Sequence, residues 1–159
     1  MTEVVIRPAH VADADAIFDL VRELAVFENE LHKLKLTVED LRHNGWGPAP
    51  AFEALMAEMD GRPVGFVMVF RNFSTWEGRA GLYVEDLFVR EEARRFGVGR
   101  KLLAAVARLA VERGCRRIDL NALHWNPARA FYEKLGFRHL EDWLPYRLSD
   151  DAIAALACS

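Results

Sequence analysis

Between Leu82 and Ala110 the hydrophobic residues change their repeat within a few positions. Leu82 to Val89 is a β-rich run, L-Y-V-E-D-L-F-V, whereas Val98, Leu102, Leu103, Val106, Leu109 and Ala110 recur at helical spacing. A strand and a helix are therefore expected on either side of R-R-F-G-V-G, residues 94 to 99, with little chain left to connect them. So short a junction makes the helix pack back onto the sheet that feeds it, which is the elementary step of an α/β layer.

The rest of the chain extends that pattern. Val4 to Ile6, stopped at Pro8, reads as a strand, and Ile17, Leu20, Val21 and Leu24 place an amphipathic helix over residues 12–25. Thr37 with Asp40 three positions on resembles a capping box for a short helix through Arg42. Phe52 to Met59 and Pro63 to Phe70 are strand-like runs around Asp60-Gly61-Arg62, a hairpin signal because glycine accepts positive φ at low cost. A second turn, Asn72 to Gly78, leads into Leu82 to Val89, so the three strands are expected to form an antiparallel meander. Downstream, Gly114 stands at a helix C-terminus and Ile118 to Ala122 is the next strand. Asn126-Pro127 then opens a helix through Leu135 that Gly136 ends. Trp143 to Leu148 reads as a last strand and Asp150 to Ala157 as a closing helix. The 159 residues, 52% of them hydrophobic, suffice for one α/β domain over residues 1–159 with a mixed, mostly antiparallel sheet flanked by helices.

Composition excludes several functions. A net charge of -3, with Lys and Arg not in excess, argues against a nucleic-acid partner, because a phosphate backbone calls for a basic face. Cys115 and Cys158 are the two cysteines, and the five histidines show no ligand spacing, so no metal site and a reducing compartment are expected. The opening M-T-E-V-V-I-R-P lacks a basic and apolar leader, and no run is long enough to span a bilayer. A cytoplasmic protein without a membrane partner is expected.

In the glycine loop, small residues allow a ligand close to the backbone, and the first N–H groups of the following helix lack intrahelical partners. Arg94, Arg95, Arg100 and Lys101 surround the same turn, which suits a diphosphate; a glycine-eased turn with solvated arginines is the alternative. Leu102 breaks the dinucleotide fingerprint G-x-G-x-x-G, and the Walker A spacing is also unmet. What is present is R-x-x-G-x-G after a meander, followed by N-P-A-R-A-F-Y-E-K-L-G-F. On these motifs the chain resembles the GNAT superfamily of acetyl-CoA-dependent N-acetyltransferases over essentially its whole length. Through V-I-R-P-A, E-L-A-V-F-E and L-Y-V-E-D-L-F-V it is most similar to the spermidine/spermine and thialysine N-acetyltransferases.

The resemblance implies a GNAT fold with a splayed strand pair that binds acetyl-CoA, and a direct attack of a primary amine in a ternary complex. It assigns Leu87, Phe88 and Val89 to the cofactor by main chain, with Arg94, Arg95, Phe96, Gly97, Val98, Gly99 and Arg100 around its phosphates. Asn126 and Lys134 are further cofactor contacts, and Tyr132 is the general acid toward the coenzyme A thiolate. Glu85 matches the acidic position at the reacting amine and is assigned general base, with Asp86 beside it; a strand alternates its faces, so only one of the pair can point into a shared cleft. From the residues alone, a solvated sheet edge is the favoured reading of Glu85 and Asp86, and helix-to-sheet core that of Phe131 and Tyr132; the resemblance reverses the order for the carboxylates.

Phe27 and Glu28 match an aromatic and acidic pair that lines the amine pocket of these enzymes, a chemistry suited to an ammonium group. Leu31, His32 and Lys33 depart from the acidic residues that the polyamine enzymes hold there, which points to a shorter amine such as a diamine, lysine or thialysine. Asp119 to Asn121, Trp143, Tyr146 and Arg147 are candidate pocket walls, and His124 and Trp125 precede Asn126 near the cleft. The resemblance further implies a homodimer. Two rival readings stand beside it: acetylation of a protein N-terminus or lysine, and a non-catalytic acyl-CoA-binding sensor.

Overall fold

Asp60 and Gly61 both take positive φ, 51° and 75°, so a two-residue turn joins two antiparallel strands whose twist it matches. β2 (Glu53–Met59) meets β3 (Arg62–Ser74) there, and β3 turns through Gly78 into β4 (Arg79–Val89). β1 (Val4–Pro8) pairs antiparallel with β2, and β5 (Ile118–Leu120) lies parallel to β4, so the sheet runs in the order β1-β2-β3-β4-β5. The computed structural model describes residues 2–159, which divide into two compact units, residues 2–126 and 127–159.

The first unit holds the whole sheet with α1 (Ala14–Phe27), α2 (Val38–Trp46), a single turn α3 (Glu91–Arg94) and α4 (Val98–Glu112). Thr37 Oγ1 accepts from the Asp40 N–H at 3.1 Å and Asp40 accepts from the Thr37 N–H at 2.8 Å, so the capping box forms and α2 continues past Arg42 to Trp46. Ile17, Leu20 and Val21 of α1 and Leu41 of α2 pack on Met56, Phe66, Met68 and Phe88 of the sheet. The alternate residues Leu55, Ala57, Val67 and Val69 are buried on the opposite face, where α4 supplies Val98, Leu102, Leu103, Val106 and Ala110.

Arg90, just past β4, makes bidentate bonds of 2.7–3.1 Å to Glu23 of α1 and donates to the Pro63 carbonyl at 2.9 Å. It ties the second half of α1 to the end of β4. α1 then stops in a Schellman arrangement: the Asn29 N–H donates to the Val26 carbonyl and the Glu30 N–H to the Ala25 carbonyl, with Asn29 at φ 58°.

In the second unit, α5 (Ala128–Lys134) begins one residue after Pro127, so Pro127 caps the helix rather than serving as its first residue. Gly136 at φ 99° ends it, with Gly136 N–H to Glu133 and Phe137 N–H to Tyr132 carbonyl bonds, and the Phe137 ring 5.7 Å from that of Tyr132. α6 (Asp151–Ala157) closes the chain. The strand expected over Trp143 to Leu148 is absent: no backbone ladder forms there, and Trp143, Leu144, Tyr146 and Leu148 are exposed. Apolar composition favours an extended segment, but a strand exists only where a neighbour takes its N–H and C=O groups.

Phe66→Ala should lower the unfolding free energy by about 3–5 kcal/mol, because it empties a fully buried aromatic position. Trp76→Ala, at a side chain 88% exposed, should change it by less than about 0.5 kcal/mol. Urea denaturation of both variants checks the pair.

Candidate active site

β4 carries an irregularity at the point where its two acidic residues stand. Val69 of β3 faces Val84, and the next residue back, Met68, faces Asp86, so Glu85 is an extra residue in β4 without a register partner. An extra residue reverses the alternation that follows it. Before the bulge Leu82 and Val84 lie on the α4 side with Val69; after it Asp86 and Phe88 lie on the α1 side with Met68 and Phe66. Asp86 is thereby half-buried on the face covered by α1, while Glu85 at the bulge is exposed.

The C-terminus of α1 brings its own residues to this place. The capping turn leaves Phe27 and Glu28 half-buried at the helix end. The Phe27 ring lies 6.0 Å from that of Trp125, at the end of the segment after β5. The Arg94 guanidinium lies over Phe27 at 5.2 Å and over Phe88 at 5.8 Å, while its Nε donates to the Val89 carbonyl at 2.9 Å. Arg94 thus reaches from the glycine loop back to the aromatic wall.

Burial, followed by repulsion from Glu85 and then from Glu28, pushes the Asp86 carboxyl up to about 7. Burial also raises Glu28, with Glu30 adding to the shift. The charges that act on Asp86 are therefore all negative, and a cation beside Asp86 would relieve that repulsion. Phe27 and Trp125 add aromatic faces for the same charge.

The other side of β4 is open. β4 pairs with β5 only from Leu82 to Val84, and residues 85–89 run on beyond the end of β5, leaving their edge toward it without a strand. Gly65 of β3 faces Val89 of β4, and a Cβ there would come within 2.7 Å of the Phe88 carbonyl oxygen, so glycine lets the two backbones close up. After β4 the chain turns at Gly97, φ 69°, a conformation that costs an L side chain about 1 kcal/mol or more, and α4 starts at Val98. The Lys101 N–H is the first to find an intrahelical carbonyl, that of Gly97, so the N–H groups of Val98, Gly99 and Arg100 face out of the helix end. Arg95, Arg100 and Lys101 are exposed around them. Val98 and Phe88 have buried side chains, so these two residues offer a ligand only their main chain. A flexible arm ending in phosphates fits this combination of open strand edge and basic helix terminus.

Glu28, Glu85, Asp86, Phe27, Trp125 and Arg94 are thus assembled within the first unit. Asn126 ends that unit, its N–H bonded to the Leu123 carbonyl at 2.9 Å. Tyr132 and Lys134 belong to α5 in the second unit, Tyr132 half-buried between Phe131 and Phe137 and Lys134 exposed. Asp119 lines a separate cavity of about 240 Å³ at the β3–β4 hairpin, with Asn72, Arg79, Arg116 and Arg117, instead of joining the carboxylates. The bulge was missed in the sequence, although two consecutive carboxylates within an apolar strand already break its alternation. Among the described residues no group of three or more His, Cys, Asp or Glu could hold a metal ion, and no helix is long and apolar enough to cross a membrane.

The family model described as Acetyltransferase (GNAT) family matches residues 16–137. Thialysine N-epsilon-acetyltransferase of Bos taurus is 36% identical over an alignment covering 99% of each chain. L-ornithine N5-acetyltransferase of Arabidopsis thaliana is 36% identical over 80% of this chain and 53% of its own length. Among solved structures, an integron cassette protein from V. cholerae superposes with a TM-score of 0.81 at 24% identity, covering 98% of both chains, and so shares the fold.

The raised Asp86 pKa has a sign that unfolding can test. A carboxyl that titrates near 7 when folded and near 3.8 when unfolded holds its proton more tightly in the folded state, so it lowers stability progressively as pH rises from about 4 to 7. Asp86→Asn should therefore be more stable than the parent at pH 8, by about 2–4 kcal/mol, and nearly equal to it below pH 4. Urea unfolding at the two pH values measures the difference.

Proposed function

Since the chain belongs to the GNAT acetyltransferase family and is an N-acetyltransferase, we propose that it transfers the acetyl group of acetyl-CoA to the primary amine of a small cationic substrate. The substrate class is a diamine, a polyamine, or an amino acid with a terminal amine of the lysine, ornithine or thialysine type. The observation that carries this reading is the convergence of Glu28, Glu85 and Asp86, with only negative charge acting on Asp86, beside the rings of Phe27 and Trp125. Two of the relatives above are named for terminal amines of amino acids, which supports the short-amine class.

Acetyl-CoA supplies the acetyl group as a thioester. The free N–H groups at the start of α4, with Arg95, Arg100 and the backbone of Phe96 and Gly97, hold its phosphates. The open edge of β4 at Leu87, Phe88 and Val89 takes the pantetheine arm by main-chain hydrogen bonds, and a backbone N–H there polarises the acetyl carbonyl. Asn126 and Lys134 add contacts to the same molecule. Glu28 and the Glu85–Asp86 pair draw in the ammonium, and a carboxylate of that pair removes its proton, because only the neutral amine attacks. Tyr132 donates a proton to the departing thiolate. The acceptor reacts directly, with both substrates bound, and the protein acts as a cytoplasmic homodimer without a metal.

The test is thiol release from acetyl-CoA against putrescine, spermidine, spermine, lysine, ornithine, thialysine and short peptides. Turnover is expected on a short amine, and Tyr132→Phe should lower kcat by about 100-fold while acetyl-CoA affinity stays within about threefold. Tight binding of acetyl-CoA with no turnover on any small amine would move the reading to a protein acceptor or a sensor.

A further inference from the structure

β4 outruns β5 at both of its ends. The two strands pair only over Leu82 to Val84, where the Leu82 N–H donates to the Arg117 carbonyl at 3.1 Å. Residues 79–81 therefore precede the start of β5, at the opposite end of β4 from the edge at residues 85–89 and roughly 15–25 Å from it along the strand. There the end of β3, the turn through Gly78 and the chain entering β5 enclose the cavity of about 240 Å³. Gly81 is needed at its floor: a Cβ would meet Asn72 Oδ1 at 2.7 Å and the Arg117 carbonyl oxygen at 3.1 Å.

Guanidinium groups dominate the walls of this cavity. Arg79, Arg116 and Arg117 line it against the carboxylates of Glu77 and Asp119, a formal excess of one positive charge. Glu77 divides between two of the arginines and meets neither closely, with Oε1 3.2 Å from Arg117 and Oε2 3.7 Å from Arg116, where a good charge-assisted bond measures about 2.7–2.9 Å. Ion pairs elsewhere in the same unit are tighter: 2.8 Å for Arg7 with Asp13, 2.7 Å for Arg90 with Glu23 and 2.5 Å for Arg113 with Glu53. Arg79 donates to the Gly114 carbonyl at 3.5 Å. Each guanidinium carries five N–H donors, so one carboxylate at these distances satisfies few of them. Asn72, Ser74 and Thr75 add neutral polar groups to the same walls.

We propose that this cavity is a binding site for a small multivalent anion, a phosphate ester or a di- or tricarboxylate, held between the guanidinium groups of Arg79, Arg116 and Arg117. Both ligand types share the chemistry that matters, a compact group with two or more negative charges whose oxygens take guanidinium N–H groups in pairs. A monovalent anion would offer these arginines no more than Glu77 already gives, whereas a dianion outcompetes it. The volume falls just below the range of about 300–1,000 Å³ usual for drug-sized ligands, which suits a small metabolite. Bound there, the anion joins the hairpin end of β4 to the entry of β5. Lying at the far end of β4 from residues 85–89, it is held independently of the acetyl donor and the amine.

Isothermal titration calorimetry of the full chain at about pH 8, where phosphate is mostly doubly charged, reads the site with inorganic phosphate and with citrate at matched ionic strength. Saturable binding of at least one of them is expected. It should weaken by about tenfold or more in the Arg79→Gln, Arg117→Gln double variant, and it should weaken in Arg117→Lys as well, which keeps the charge but loses the paired donors. Arg95→Gln, which removes a charge from the other basic turn at the start of α4, should leave it unchanged. Both substituted arginines are exposed, so the double variant keeps the fold, and its far-UV circular dichroism should match that of the parent. Tighter binding of phosphate assigns the site to phosphate esters, and tighter binding of citrate to carboxylates. No saturation by either anion up to about 10 mM, equal affinity in the parent and the double variant, or a loss in Arg95→Gln alone would overturn the site. Calorimetry needs no turnover, so the outcome is separate from that of the amine panel.

Discussion

One extra residue in β4 decides which side of the sheet its last residues face. Without the bulge at Glu85, the strand's alternation would put Asp86 and Phe88 on the α4 side and Leu87 beneath α1. Phe88 could then not join Phe66 and Met68 in the core, and Asp86 would be turned away from Glu28. The energetic consequence is asymmetric: Phe88 gains burial from the shift, whereas Asp86 is taken out of water without a cation to compensate it. The apolar packing of one residue therefore holds its acidic neighbour in an unfavourable place.

An unfavourable place for a carboxylate is a favourable one for an ammonium. Glu28 reaches the cluster because α1 ends in a left-handed cap at Asn29, and Arg90 anchors that helix to the end of β4 through Glu23. The arginines near the site are occupied differently: Arg90 by Glu23, and Arg94 by the Val89 carbonyl and two aromatic rings. Neither appears among the charges that set Asp86, so its elevated pKa persists. Stability is given up here at a buried carboxylate, a common arrangement at functional sites.

The cofactor side depends on a different economy, that of backbone groups. β5 stops at Leu120 after pairing only three residues with β4, so residues 85–89 keep an edge available, and Gly97 turns the chain so that a helix end follows within eight residues of that edge. Main-chain donors are what this edge and helix end offer, which is why buried side chains such as Val98 and Phe88 are compatible with a ligand there.

The sequence by itself determined the order of β1 to β5 and of α1, α2, α4, α5 and α6, the Asp60-Gly61 hairpin, the Thr37–Asp40 cap and the glycine turn before α4, because each rests on contacts between residues close along the chain. It also marked Phe27, Glu28, Glu85 and Asp86 as a group, through resemblance to a family. Tertiary structure alone decided how the two carboxylates divide, since pairing register and burial depend on β3 and α1. It likewise decided that Arg94 lies over Phe27, and that Trp143 to Leu148 forms no strand although its residues favour one. Local chemistry specifies turns and caps; a strand, its register and a shifted pKa are properties of what stands beside a residue in space, and one chain's residue order does not contain that directly.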